Sequence, residues 1–556
     1  MFIPTTNEEL KRLGWKNLDI ILISGDVYID SYYDGSALLG KLLISKGYKV
    51  GIISQPDISN EKDIKRLGEP SLFWGVSGGC VDSMVANYTA LLKKKRSDDL
   101  TPGDVNDRRP DRAVIKFANL IRQNFKNTKP IVIGGIEASL RRIAHYDYWT
   151  DSIRRSILFD SKADYLIYGM AERTILEVAD GLRSGRDLNN IRGLCYISKN
   201  KIDCYLELPS FEEVKSDKIK FIEMFHQLYK NNDPLNAMGL IQKHDTRYLI
   251  QNPPNFYLSQ KELDEVYELD FERDVHPYYN KQGKVKALET IQFSINSHRG
   301  CYGECNFCAI TVHQGRTIRS RSRESILKEA KSITLHKDFK GIISDVGGPT
   351  ANMFDNKCKL QATKGSCKDK RCMLPERCRA MNINHSSQID ILDEIKQIPG
   401  VRKVFIGSGL RYDLIIQDKK AGERYLLNLV KDHVSGQLKI APEHMTDKVL
   451  QKMGKPSNDK LVDFRRKFND YSKNAGKKQF LTYYIIAAHP GCEQEDMDEL
   501  KDFVNKELKL NPEQMQIFTP TPSTYSTLMY HTGLDPYSQE PIFVEKGLKG
   551  KKRQLF

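Results

Sequence analysis

No stretch of about 18 uninterrupted apolar residues occurs in the chain, so the sequence offers no helix that would span a bilayer. Residues Met1 to Trp15 hold Asn7, Glu8, Glu9, Lys11 and Arg12 but no apolar run, which argues against a secretory leader there. Internal duplication and low-complexity segments are also missing, which sets aside repeat arrays and compositionally disordered tracts. Glycine (37) and proline (22) stand at ordinary levels, so neither collagen-like nor disordered composition applies. These absences together predict a cytoplasmic protein with no membrane partner. In that compartment thiols stay reduced, and clustered cysteines are read as metal ligands or catalysts rather than disulfides.

What the chain does have is size, at 556 residues, with 40% hydrophobic and 28% charged residues. One hydrophobic core stops growing well short of this length, so two large domains and a tail are expected. The formal charge is +14, gathered at Lys93 to Arg96, Arg108-Arg109, Arg141-Arg142, Arg154-Arg155 and Lys549 to Arg553. Such runs could meet the phosphates of a nucleic acid. They read equally as solvated faces, because no aromatic residues interleave around Lys93 or Lys549.

Through the first half, short apolar runs alternate with amphipathic stretches: Asp19 to Ile23, then a helical pattern over Ala37 to Lys46, then Tyr48 to Ile53. Further strand candidates are Leu72 to Val76, Pro130 to Ile133, Tyr165 to Tyr168 and Leu194 to Ile197. This rhythm predicts an α/β, doubly wound, Rossmann-like domain over residues 1–255, with ligands beyond the carboxyl ends of parallel strands. Met84 to Arg112 turns polar and reads as a long insertion of the mobile kind. A linker is expected over 256–285. Six strands then follow near Ile291 to Ile295, Gly341 to Val346, Val401 to Ile406, Leu438 to Ile440, Leu481 to Ala487 and Met515 to Phe518. They predict a partial (β/α)6 barrel of the TIM type over 286–530 and a short basic tail over 531–556.

Cys301, Cys305 and Cys308 place three thiols within eight residues, immediately after the first of those six strands. Thiolates are the soft ligands that iron–sulfur clusters and zinc prefer. A closed site wants four ligands, so three leave one position on the metal open. A zinc site completed by His298 or His313 is the alternative, against which the spacing of three and then two residues, with Phe307 before the last cysteine, points to a cluster. Four more cysteines, Cys358, Cys367, Cys372 and Cys378, fall within 21 residues of a lysine-rich loop. Zinc or an auxiliary iron–sulfur cluster would suit them, although their gaps match neither paired knuckles nor a ferredoxin run. Cys80, Cys195, Cys204 and Cys492 are scattered singles.

The three-cysteine motif resembles that of the radical S-adenosylmethionine (SAM) superfamily. The resemblance implies a 4Fe-4S cluster on Cys301, Cys305 and Cys308, whose open iron binds SAM, and a low-potential donor of flavodoxin or ferredoxin type. It also implies reductive cleavage of SAM to a 5′-deoxyadenosyl radical, with Phe307 shielding the cluster, Gly347 and Gly348 near the methionyl ammonium and Glu443 on the ribose. Ile486 to Gly491 resembles the segment that packs on the adenine. Four arginines, Arg316, Arg319, Arg321 and Arg323, could bind an anion or line a solvated edge.

Longer stretches are similar to the YgiQ-type radical SAM family: Ser24 to Asp30, Arg109 to Arg112, Gly134 to Arg142, Ala144 to Trp149, Arg299 to Arg323 and Gly347 to Met353. The resemblance names no reaction, and catalytic residues beyond the cluster stay unassigned; methyl or sulfur transfer to RNA or protein is one reading. A non-catalytic, metal-dependent nucleic-acid binder is the other. The first domain also resembles cobalamin-binding domains, with Gly134-Gly135 and Gly169 to Glu172 at strand ends. No histidine lies between Asp26 and Gly35 to serve as a lower cobalt ligand, which argues against cobalamin. His145 among its aromatic neighbours reads as a substrate-facing or a structural residue.

Overall fold

The computed structural model describes residues 1–508 and 515–555. It falls into two compact units, the first comprising Met1–Tyr257, Glu265–Gln292 and Thr521–Ser523 and the second Leu258–Asp264, Phe293–Pro520 and Thr524–Phe556.

In the first unit, Ile20–Ser24 and Val50–Ser54 are buried along their whole length, and Phe73–Ser77 is buried up to its last residue. Strands with both faces covered read as continuous apolar runs, and parallel pairing is how such strands are accommodated. Ile20 stands beside Val50 on one side and Phe73 on the other, and Ile131–Gly134 and Tyr165–Ile167 extend the same parallel sheet. Helix Gly35–Ser45 starts at Asp34, whose carboxylate accepts from Ser36 N, and buries Ala37, Leu38, Leu42 and Leu43. Ile52 N donates to Pro4 O at 3.0 Å and Thr5 Oγ1 donates to Ile52 O, so the first residues run along the outer edge strand.

Two expectations for this unit change. Leu194–Ser198 is antiparallel to Tyr165–Ile167, and the hairpin Leu240–His244 with Arg247–Gln251, then Leu206–Leu208, carries the sheet to nine strands. Strand direction depends on the partner, and an apolar run such as Leu194 to Ile197 does not encode it. The hairpin escaped notice because Gln242, His244 and Gln251 are buried polar residues that break the apolar pattern. The segment Met84 to Arg112 is packed rather than mobile. Arg109 lies buried between Asp26 (2.5 Å) and Asp98 (3.0 Å), and Asn87 Nδ2 donates to Arg109 O at 3.0 Å. Its polarity is that of charges paired indoors.

The second unit repeats a strand followed by a helix. Ser294–Asn296 pairs in parallel with Asp345–Gly347, Ile342–Ile343 with Lys403–Val404, and Gln437–Glu443 with Phe480–Ala487, which pairs in turn with Met515–Ile517. A bridge from Leu410 to Ile440 links the third and fourth strands. Arg323–Thr334, Ser386–Lys396, Leu461–Asn474 and Gln494–Phe503 are the helices between them, and Ile326, Leu392, Phe464, Phe468 and Leu500 join strand residues in one core. Residues after 531 pack as well: Lys551 is buried and donates to Tyr530 Oη at 2.8 Å. Among the described residues no helix is long and apolar enough to cross a membrane.

Replacing Arg109 with leucine strands Asp26 and Asp98 in the interior without their cation. The expected loss is about 3–5 kcal/mol of stability in the first unit, read from the shift of its urea unfolding transition against the unaltered chain.

Candidate functional site

The loop that bears the three thiols is shaped by residues between them. His298–Arg299 pairs with Arg319–Ser320, and Gly300 follows at φ 81°, where a side-chain carbon would stand 2.2 Å from Thr317 O. Glu304 takes φ 46°, a conformation that side-chain-bearing residues avoid. Its buried carboxylate pairs with Arg316 at 2.9 Å, and its carbonyl accepts from Arg371 Nη1 at 3.1 Å. Asn306 anchors the far side: its backbone N donates to Met453 O and its Nδ2 to Lys452 O, both at 2.8 Å, and its carbonyl accepts from Ser526 N at 2.9 Å. Thus bent, the loop turns Cys301, Cys305 and Cys308 into one cavity of about 410 Å³.

Burial pushes the thiols of Cys305 and Cys308 above their ordinary range, and the neighbouring thiols push Cys308 further. Lys455 and Arg411 pull Cys305 the other way. Protonated at neutral pH when bare, these thiols would lose their protons to a cationic metal centre if one were bound. Gly303 N (3.3 Å) and Thr350 Oγ1 (3.4 Å) can donate to Cys301 Sγ. A side-chain carbon at Gly303 would crowd Arg411 Nη1 at 3.0 Å and Cys301 Sγ at 3.2 Å. Among the described residues no three His, Cys, Asp or Glu side chains stand close enough to grip a single metal ion. The histidines considered as a fourth zinc ligand stay out of the lining: His298 Nδ1 meets Ser297 Oγ at 2.9 Å and its ring lies against Gly348, while His313 ends the helix Ile310–His313.

Glu443 faces the same cavity at φ 68° at the end of its strand. Burial raises its carboxyl pKa, opposed by Lys455, 3.6 Å away. Phe307 also lines the cavity. Gly347 and Gly348 sit beside it: the carbonyl of Gly347 accepts from Ser297 N (2.7 Å) and Oγ (2.8 Å), and the residues of that turn that reach the lining are Pro349 and Thr350. Sequence reading did not find Arg411 or Lys455, which bring two cations to the thiols. Arg411 is fixed by both oxygens of Asp413, at 3.0 and 2.6 Å. No motif marks either residue. Their signal is position alone, Arg411 just past the third strand and Lys455 just past the helix Asp447–Met453.

Other candidates are placed elsewhere. The four arginines expected to bind an anion or line an edge have partners within the protein: Arg316 has Glu304, Arg319 the carbonyl of Leu258, Arg321 pairs with Glu329, and Arg323 pairs with Glu394 at the surface. Cys358 and Cys372 are buried in an apolar group with Tyr302, and Cys367 and Cys378 are half-buried. His145 is buried, its Nδ1 is 3.0 Å from Ile143 O, and burial lowers its pKa to about 4. In the first unit, Leu22, Leu39, Val76, Gly134, Gly135 and Ile175 line an apolar cavity of about 90 Å³ between the sheet and its helices.

Residues 2–294 match the model of the family described as "Radical SAM N-terminal". The chain is 56% identical over 554 residues to a UPF0313 protein of Fusobacterium nucleatum, covering 100% of this chain and 97% of that one. A UPF0313 protein of Thermotoga maritima is 48% identical over 556 residues, with the same coverage. In fold the chain is similar to TsrM of Kitasatospora setae, a radical SAM methyltransferase solved with cobalamin and a [4Fe-4S] cluster bound (TM-score 0.52, 13% identity, 91% of this chain and 76% of that one). It is likewise similar to OxsB, a cobalamin-dependent SAM radical enzyme solved with aqua-cobalamin bound (TM-score 0.51, 14% identity, 94% and 56%). These likenesses correct the expectation that argued against cobalamin. That expectation rested on one missing histidine, and proteins of this fold hold cobalamin.

Two outcomes follow from the site. Gly303→Ala, which forces a methyl group between Cys301 and Arg411, should lower the iron retained after anaerobic reconstitution, measured against unaltered protein. His444, next to Glu443, and His489, just past the strand Phe480–Ala487, are wholly buried, which holds them near pKa 4 and 3, so the native state refuses protons that the unfolded chain accepts below about 6.5. Stability present above that pH should drain as pH falls toward 4, by up to roughly 3 kcal/mol for each histidine, seen as a falling midpoint in denaturant titrations.

Proposed function

Because this chain belongs to the Radical SAM N-terminal family and to the UPF0313 proteins, we propose that its second unit is an incomplete parallel barrel carrying a four-iron cluster on Cys301, Cys305 and Cys308, with SAM bound in the adjoining cavity. One observation carries this reading: three half-buried thiols, and among the described residues no fourth, line a cavity that also presents two cations and a carboxylate. A volume of about 410 Å³ suits a nucleoside joined to an amino acid. Arg411 and Lys455 are the groups to meet the methionyl carboxylate, Glu443 to accept from the ribose hydroxyls, and Phe307, Ile485 and Ile486 to cover the adenine and exclude water. When bound, the cluster supplies one electron to the sulfonium, so that methionine leaves and a 5′-deoxyadenosyl radical takes hydrogen from the substrate. The electron comes from a low-potential donor of flavodoxin or ferredoxin type.

A second element of the reading concerns the first unit, which we take to hold a corrinoid, making methyl transfer the reaction class. The likeness to cobalamin-bound enzymes supports it. So does the apolar slot walled by Leu22, Val76, Gly134 and Ile175, whose chemistry suits the aromatic ring of a corrinoid's nucleotide tail rather than a polar ligand.

Reconstituted anaerobically and given SAM and dithionite, the protein should release 5′-deoxyadenosine and methionine, and C301A/C305A/C308A should release neither. Absence of both products from the unaltered, iron-loaded protein would sink the reading. Glu443→Gln should raise the KM for SAM about tenfold, the cost of one charge-assisted hydrogen bond. Hydroxocobalamin added during refolding should stay with the protein through gel filtration. Its loss removes the corrinoid and leaves the SAM reading untouched.

A further inference from the structure

Four cysteines outside the SAM cavity form a second group, all within the second unit. Cys358 closes the short strand Lys357–Cys358, which pairs antiparallel with Met381–Asn382, so the loop returns on itself. Inside it, Cys378 N donates to Cys372 O at 2.8 Å and Met381 N to Cys378 O at 3.0 Å. These bonds gather thiols that are up to 20 positions apart in the chain. Cys372 lies within electrostatic reach of Cys358, Cys367 and Cys378 together. None of the four is in a disulfide.

The surroundings have two sides. Tyr302, Met353, Met373 and Met381 cover Cys358 and Cys372, each only 8% exposed. Around them, residues 357 to 379 hold eight Lys or Arg against two acids. Four thiols joined by no disulfide, half in an apolar wall and half under a cationic loop, make a poor core and a poor surface. They make a good cradle for a compact anionic group, because apolar cover keeps water off while outlying cations balance charge. Gln361 Nε2 already donates to Cys372 Sγ at 3.4 Å, a bond of the kind that tunes the sulfur ligands of a cluster.

Zinc is the other metal that four thiolates take, through Zn–S bonds of about 2.3 Å. The apolar cover of Tyr302, Met353, Met373 and Met381 and the hydrogen bond from Gln361 to Cys372 Sγ favour the cluster, whose potential depends on exclusion of water and on hydrogen bonds to its sulfurs. We propose that Cys358, Cys367, Cys372 and Cys378 hold a second four-iron cluster, fully ligated by protein.

Its place beside the first cluster rests on the SAM reading, whereas its existence does not. Arg316 joins the two loops, pairing with Glu304 at 2.9 Å and donating to Cys367 O at 3.2 Å, while Arg371 reaches Glu304 O at 3.1 Å. Tyr302, next to Cys301, packs in the apolar group with Cys358 and Cys372.

Iron, acid-labile sulfide and zinc, together with the electron paramagnetic resonance of the dithionite-reduced full chain, test the proposal. After anaerobic reconstitution the unaltered protein should hold about eight irons and C301A/C305A/C308A about four, with a reducible cluster signal remaining. Adding Cys367→Ser to that triple variant should weaken or shift the remaining signal. A folded triple variant without iron, or with one tightly held zinc in its place, overturns the proposal. Should the triple variant fail to fold, C358A/C367A/C372A/C378A gives the complementary reading: iron falling to about four supports a second cluster, and iron unchanged from the unaltered protein overturns it. Iron retained by the triple variant, with no 5′-deoxyadenosine from the unaltered protein, would refute the proposed function and leave this cluster in place.

Discussion

The geometry of the three-thiol cavity depends on the ion pair between Glu304 and Arg316. Thiols at positions i, i+4 and i+7 on a helix would form a stripe about 10 Å long along one face, unable to close on a common centre. The chain escapes the helix by taking Glu304 through the left-handed region, at a cost of about 1–2 kcal/mol. Arg316 and Arg371 hold that residue from side chain and carbonyl, and Asn306 ties the next turn to the end of a neighbouring helix. A residue between two of the thiols, itself outside the cavity lining, is what turns them inward.

Around that loop the charges are arranged so that a bare site and a filled site differ. Burial disfavours thiolates, and the two cations Arg411 and Lys455 compensate in part. Arg411 is itself anchored by Asp413, so its position is set before any ligand arrives. Lys455 is shared between Glu443 and the carbonyl of Ala441. Such preorganisation would lower the entropy lost by any flexible, charged ligand that binds there.

The parallel half of the large sheet was legible because its strands are apolar on both faces; Ile20 to Ile23 and Val50 to Ile53 have no other use. The thiols were legible from spacing, and Glu443 from its place after a strand. Arg411 and Lys455 were not, since a single cation past a strand or helix end looks like any surface charge until the fold turns it inward. Burial of polar residues misled in the other direction: Gln242, His244 and Gln251 hid a hairpin, and Arg109 made a packed segment read as a loose one. The argument against cobalamin failed for a related reason, since it equated a cofactor's whole binding surface with one axial ligand.

The nine-stranded sheet has two ends, and neither is left open in the usual way. On one side it stops at the three-residue strand Leu206–Leu208, too short to template another chain. On the other, Val50–Ser54 is an apolar, five-residue strand of the sort that recruits foreign backbone, and the residues at Pro4 and Thr5 occupy its middle. The chain thus acts as its own blocking peptide, and its first half-dozen residues guard against aggregation as much as they contribute to the fold.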